Sequence, residues 1–550
     1  MSYQKPLTYT DLISDSTEIL SLLSIVFAGR VFYWASRGLV IESTENGPIQ
    51  FEGGVSIDWK DALALFNNSP PLVSVSMGLF FPVDVAELIA KGHDLGRATG
   101  EFSIYALDPT KAAPTYEDRI VVFSGQVVDP EYGAHGEPVT LSLESNPFED
   151  RTLIPSSTQR INAETFFVGP IEIQNPGAYY PIVFGTPGVY ENTAGALVST
   201  TGSPAYFVGF DGLSTNMLIA GHEVDADQVT IKNLTNPTTS ICNVLTATDL
   251  LGQIYSYADY GATYVVGDDM WCIWNEPTGQ PKGGLLNDQH DGTRTGAGEL
   301  LTYFFRLSTI EQDRGRWRAV SDYLDQRFKF SGYINKPCRP WDYIQQNMMP
   351  LLPLSVIATS DGLAPVIWRR DASKAQAVGY LTAGPNLSRV GPVSYYNQEV
   401  TNEIRLNFGV NGQNEFNREM TVFGGETSDP ELGVFDPTLT PDYFSTEYSR
   451  ASFLRYGTNA ETLDTDIVLD NATAGEILEW KHRASCFPYR TITYNAAIRY
   501  GFLRRGDVVL LTDQELHLAE HLAFVRDLEW TNGRPSLTFV LVDNPPREDR

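Results

Sequence analysis

The chain has 550 residues, 42% hydrophobic and 12% aromatic, which is too long for one core and too apolar for general disorder, so three or four domains are expected. Its 39 Lys and Arg against 68 Asp and Glu leave a net charge of −29, which argues against binding to a phosphate backbone. The four cysteines, Cys242, Cys272, Cys338 and Cys486, form no C-x-x-C, so neither a zinc site nor a disulfide framework is indicated, as suits folding in a reducing cytoplasm.

The 46 Gly and 33 Pro call for many short turns and favour a β-rich architecture. Residues 1–36 read as an N-terminal arm leading into a helix or strand that ends near Arg30. The apolar run 19–29 is short and follows no basic segment, so it reads as a buried element rather than a signal peptide or membrane span. From 32 to 146 the pattern is mostly β, with short Val-, Ile-, Phe- and Ser-rich runs at 72–80, 101–106, 119–128 and 139–144. One helix interrupts them, opened by Pro82, with Val83, Ala86 and Ala90 on one face and Gly92 at its end. This is the composition of a small barrel or sandwich with a helix across its mouth. Residues 147–204 are rich in Pro, Gly, Ser and Thr and read as a connector. A second β segment, an inserted module, spans 205–284, with its clearest strands at 205–210, 228–232 and 263–266. Helices are expected at 300–307 and 317–328.

The most patterned stretch follows. Pro340 suits a first helical turn, and Trp341, Ile344 and Met348 fall on one face of a short helix. Pro350 and Pro353 end it. Apolar runs at 354–358 and 363–368 flank Ser360-Asp361-Gly362, which supplies turn chemistry. Helix, strand, tight turn and strand make a compact wedge over 285–370 with an apolar underside. Beyond Arg370 the β pattern returns, with Ile404, Leu406 and Phe408 alternating. A helix is expected at 472–484, ending in Lys481, His482 and Arg483 as the helix dipole favours. A strand follows Gly506-Asp507, and a hairpin turns around Asn532-Gly533.

The pattern P-x-R-P-W-D-Y-I-Q-x-N-x-x-P-L-L-P, with the hairpin after it, resembles the middle of baseplate hub proteins of tailed bacteriophages. The helix, GDVV strand and closing hairpin near the C-terminus look like the second barrel of those proteins. An internal match supports two related β-modules. Gly136-Glu137-Pro138 begins a Thr-containing strand that ends at Asn146-Pro147, and Gly533-Arg534-Pro535 begins one that ends at Asn544-Pro545. The expected fold is therefore mainly β with minor α/β. It comprises a tube-like barrel at 1–146, a connector at 147–204, an inserted β domain at 205–284, an α/β wedge at 285–370 and a second barrel at 371–550. The resemblance implies a homotrimeric ring in the virion tail, assembled in the host cytoplasm. It would join the tail tube or distal tail protein to a tip, spike or fibre protein, with the tape-measure protein as a further neighbour. The acidic charge would suit the wall of a DNA-ejection channel.

Three patterns bear on chemistry. Asn275-Glu276-Pro277 is similar to the acid/base segment of retaining glycosidases on (β/α)₈ barrels, with Glu426 as the nearest nucleophile candidate. The helices such a barrel needs do not precede it, so it reads as a turn after a Trp-rich strand. His517-Leu518-Ala519-Glu520-His521 matches an inverted zincin motif but has strand-like flanks. Asn287-Asp288-Gln289-His290-Asp291-Gly292 begins like a calcium loop, yet position 12 is Gly298 and Glu299 comes one place late. His93, His135, His222 and His482 have no partner at ligand spacing. No catalytic, cofactor-binding or metal-ligating residue is assigned and no cofactor is expected. The alternatives are a glycosidase acting through Glu276 and a host-glycan-binding module at 205–284.

Overall fold

The computed structural model describes residues 18–542 apart from 54–58, 63–73, 108–112, 135, 145–151, 163–165, 167–176, 212–213, 262–264, 266, 276–281, 288–291, 309–311, 360–361, 369–371, 397–399, 411–414, 424–442, 445–446, 502 and 532–533. About 48% of the described residues are strand and 19% helix, with one half-barrel sheet and one nearly closed barrel sheet. The fold is mainly β and multidomain.

The N-terminal third runs through β1 (Glu18–Phe27), β2 (Arg30–Ala35), β3 (Leu39–Ser43), β4 (Gly47–Phe51), β5 (Trp59–Ala62), β6 (Ser74–Leu79), α1 (Val85–Ala90), β7 (Thr99–Leu107), β8 (Ile120–Glu131) and β9 (Val139–Glu144). Six of these strands form a sheet in the order β2-β1-β7-β8-β9-β6. Alternation along β1 serves both faces. Leu23, Ile25 and Phe27 enter the main core, while Leu20 and Leu22 pack with Ile41, Ile49 and Phe51 of the β3–β4 hairpin. The helix begins later than its Pro82 suggests. Asp84 caps it by accepting from the Glu87 N–H at 3.1 Å, and this rotates the buried face onto Val85, with Leu88 and Ile89 packed beside it. Ala86 and Ala90 therefore face solvent.

A connector carries β10 (Ile182–Phe184), β11 (Val189–Glu191) and β12 (Leu197–Ser199). The inserted sheet comprises β13 (Ser203–Pro204), β14 (Tyr206–Asp211), β15 (Ser214–Ala220), β16 (Gln228–Asn233), β17 (Thr238–Thr248), β18 (Ile254–Tyr260) and β19 (Met270–Ile273), in the order β13-β19-β16-β17-β18-β15-β14. The first half of β17 pairs with β16 and its second half with β18, so one strand turns the corner of the sheet. Of the strand expected at 263–266, residues 263, 264 and 266 lie outside the described residues.

The central body is built from α2 (Ala297–Arg306), α3 (Arg314–Arg327), β20 (Gly332–Ile334), α4 (Pro340–Tyr343), β21 (Leu354–Thr359) and β22 (Gly362–Ile367). Pro340 occupies the first turn of α4, and Trp341, Ile344 and Met348 are all buried. Past Tyr343 the helix widens into a π-turn, Ile344–Met348, and the Asn347 amide donates to the Tyr343 carbonyl at 3.1 Å. The last part of the chain contains β23 (Gly379–Thr382), β24 (Leu387–Tyr396), β25 (Glu403–Val410), β26 (Phe416–Val422), β27 (Tyr443–Phe444), α5 (Glu447–Tyr456), β28 (Ala460–Asp464), α6 (Asn471–Ser485), β29 (Tyr489–Ala496), β30 (Val508–Asp513), β31 (Leu518–Thr531) and β32 (Arg534–Leu541). The C-terminal sheet is ordered β23-β30-β31-β32-β29-β24. The excursion between β24 and β29 belongs elsewhere. Ile404, Leu406 and Phe408 of β25 and Ile477 and Leu478 of α6 share the core of Phe304, Trp317, Trp341 and Met348.

The two large sheets contain the same four-stranded unit. In the first, β6 leads through α1 to β7, β8 and β9, and the spatial order is β7-β8-β9-β6. In the second, β29 leads to β30, β31 and β32, ordered β30-β31-β32-β29. Every neighbouring pair in both units is antiparallel. Both contain one unusually long strand, the 12-residue β8 and the 14-residue β31, and each has a bulge against its successor. The Gly-x-Pro matches in the sequence introduce β9 and β32, the equivalent strands. The two units share a single continuous core from Leu23 to Leu541. A covalent strap reinforces it, because β5 leaves the N-terminal segment and pairs with residues 527–530 of β31.

The β21–β22 hairpin joins the bodies through its two faces. Leu354, Val356 and Leu363 lie in the central core. Ile357, Ala364 and Val366 point the other way, into a cluster with Tyr489, Phe524 and Val540 of the C-terminal sheet. The cross-strand partners agree with this division: Leu354 faces Ile367, and Ile357 faces Ala364. Each fully buried aliphatic side chain contributes roughly 1.5–3 kcal/mol. Leu363→Ala is expected to cost about 2–5 kcal/mol and to lower the calorimetric unfolding midpoint. The exposed control Tyr395→Ala should move stability by no more than about 0.5 kcal/mol. Equal effects of the two substitutions would remove the hairpin from its place as the joint.

Candidate functional site

The chemically suggestive patterns go to separate places. β19 leads into Trp274, which is fully buried, and its indole N–H donates to the Ser203 hydroxyl at 2.8 Å. The Asn275 amide donates to Ser199 Oγ at 2.8 Å. Glu276, Pro277 and Glu426 lie outside the described residues. The sheet that ends at β19 is antiparallel at every described pairing. His517 sits in the turn between β30 and β31 at φ 55°, and His521 lies along β31 opposite Leu511. A strand does not bring residues four apart onto one helical face, and Glu520 is ion-paired with Lys374 at 2.9 Å. In the calcium-like loop, the Asn287 N–H donates to the Gly292 carbonyl at 2.8 Å, while Asp288 to Asp291 lie outside the described residues. Among the described residues no group of three His, Cys, Asp or Glu side chains could hold a metal ion.

The buried titratable groups tie segments together. His222 accepts from the Val183 N–H at 3.0 Å, and its other ring nitrogen lies 2.7 Å from the Glu223 carbonyl, so the proton belongs on Nδ1. Burial pushes its pKa down to about 4, so the ring is neutral and fastens the connector to the inserted sheet. All four cysteines are free. Burial pushes the Cys242 thiol up to about 12 and the Cys338 thiol up to about 11, far from nucleophilic thiolates.

Polar and steric detail concentrates instead where the hairpin meets its neighbours. The Trp317 indole N–H donates to the Leu363 carbonyl and the Trp480 indole N–H to the Leu351 carbonyl, each at 2.8 Å. These bonds fix both ends of the wedge to helices α3 and α6. Trp341 stacks on Phe305 with ring centres 5.8 Å apart, and Trp368 meets Phe524 edge-on at 4.7 Å. Gly506 has φ 80°, and a Cβ there would stand 2.3 Å from Val366 Cγ1, so the turn before β30 must be glycine for the hairpin to seat. Next to it, Asp507 accepts from the Arg504 N–H at 2.7 Å. The carboxyl is walled in by protein although part of the residue reaches solvent, and burial pushes its pKa up to about 6 against the pull of Arg316 and Arg504. Sequence reading recognises the Gly506-Asp507 turn. Its contact with Val366, 140 residues away, gives no local signal.

No protein-family model matches the chain, and no curated protein matches it. Among solved structures it is similar to the tail protein from Neisseria meningitidis, at 10% identity and TM-score 0.35, covering 96% of this chain and 97% of that one. It is also similar to the 43 kDa tail protein of prophage MuSo2 from Shewanella oneidensis, at 10% identity and TM-score 0.31, covering 95% and 98%. A third similar structure is the phage P2 baseplate in its activated conformation, at 10% identity and TM-score 0.15, covering 72% and 99%. These neighbours are tail and baseplate proteins.

The carboxyl of Asp507 holds its proton to a higher pH in the folded chain than the roughly 3.9 of an unfolded one. Between about pH 4 and about pH 6 the native state therefore binds more protons, and stability falls as pH rises. Asp507→Asn should flatten that part of the profile of thermal midpoint against pH. A variant whose profile overlays the wild type would show that this carboxyl titrates normally.

Proposed function

We propose that this protein is a structural component of a bacteriophage tail tip or baseplate, a hub ring of three identical chains. The repeated four-stranded unit carries this reading. Three chains, each with two equivalent β-modules, present six similar modules around a three-fold axis, so a trimer can mate with a six-fold tube on one face and a three-fold tip on the other. The ring would stand between the tail tube or distal tail protein and the tip, spike or fibre proteins, with the tape-measure protein as a further neighbour. The net charge of −29 suits a wall past which DNA moves without adhering during ejection. In the proposed division, residues 1–146 and the parts of 371–550 outside the excursion between β24 and β29 supply the modules, and 285–370, packed with that excursion, supplies the wedge that holds them. The work is done by interfaces, and no bond-making step is assigned to the chain.

The mass of the purified protein tests the stoichiometry. A particle of three 61.0 kDa chains, about 183 kDa, is expected by native mass spectrometry or light scattering. A dimer or tetramer would contradict a three-fold ring.

A further inference from the structure

A cleft of about 380 Å³ opens where the connector, the inserted sheet, the end of β20 and the segment before α6 converge. Its size falls within the range of small-molecule sites, and meeting points of modules are where such sites occur. Part of its wall is bare backbone at Gly188, Gly202 and Gly332. Two half-buried aromatic side chains line it, Trp271 from β19 and Tyr333 from β20. The indole is held in place by its N–H, which donates to Asp269 Oδ1 at 2.9 Å. Asn335, whose amide lies 3.4 Å from the Tyr206 hydroxyl, and Lys336 extend the same wall. Asp466 also lines it, brought alongside β20 by the bond from the Ser331 N–H to the Ile467 carbonyl at 2.8 Å. Among the described residues neither Asp466 nor Lys336 takes part in an ion pair. Burial raises the Asp466 carboxyl, and the same burial, with Tyr206 and Asp466 nearby, pushes the Tyr333 hydroxyl up to about 12.

We propose that this cleft binds a neutral carbohydrate, with one pyranose face lying against Trp271 and Tyr333 and its hydroxyls bonded to Asp466, Asn335 and Lys336. The apolar C–H face of a sugar ring suits an aromatic surface. Its hydroxyls both donate and accept, which suits a carboxylate, an amide and an ammonium side by side. One acid and one base leave no net charge to select an ionic ligand. The assignment is independent of the ring stoichiometry, because every lining residue comes from one chain.

The test uses the full-length chain with maltotriose, cellotriose and tri-N-acetylchitotriose as neutral probes and trigalacturonate as the anionic one. Binding is read by calorimetry and saturation-transfer NMR. At least one neutral trisaccharide should bind. Trp271→Ala and Asp466→Asn should each weaken it by roughly tenfold or more, while Trp271→Phe retains most of the affinity. Should Trp271→Ala fail to fold, Lys336→Met probes the same wall from an exposed position, with loss of affinity expected. No binding of any neutral probe, unchanged affinity in the folded variants, or a preference for trigalacturonate would each overturn the proposal.

Discussion

The central body and the C-terminal sheet are held together by a hairpin whose described strands are buried on both faces. Residues 354–359 and 362–367 alternate as any strand pair must, yet both sets of side chains are mainly apolar and both are covered, one by the central helical core and the other by the C-terminal sheet. A strand pair buried on both faces fixes the relation of the bodies it separates, since a slip of one residue would exchange the two sets. The surrounding detail follows from that need. Pro353 separates the last helical turn, Met349–Leu351, from the strand, two indole N–H groups bind backbone carbonyls near its ends, and a glycine clears space for Val366.

The second constraint is that neither large sheet is a separate domain in the energetic sense. Their inward residues form one core, and β5 adds an N-terminal strand to the C-terminal sheet. That arrangement suits building material. Two copies of a module must keep a fixed mutual orientation if several chains are to close a ring, and a shared core supplies the rigidity. One buried polar group is used likewise: the His222 ring accepts from the Val183 N–H across the junction of the connector and the inserted sheet.

The sequence made some of this readable. Regular periodicity locates the wedge helix, the alternation of Ile404, Leu406 and Phe408, and the helix at 471–485, because those signals are local. The repeat of Gly-x-Pro at the starts of β9 and β32 points to the duplicated unit, although the shared strand order appears only in three dimensions. Local pattern misplaced the first helix, since the Asp84 cap, rather than Pro82, sets which face is buried. Within the inserted sheet β17 is faint in sequence because it is exposed along much of its length and lacks a clean alternation. Long-range events left no trace at all. Nothing near Trp59 announces that its strand crosses to β31, and nothing near Asp466 announces that it lines a cleft with Tyr333.

The most direct measurement is an electron cryo-microscopy reconstruction of the assembled protein. The predicted result is six four-stranded modules at one radius around a three-fold axis, β6–β9 units alternating with β29–β32 units. Modules at two clearly different radii, or an assembly with two-fold or open helical symmetry, would contradict the equivalence of the two units and with it the ring.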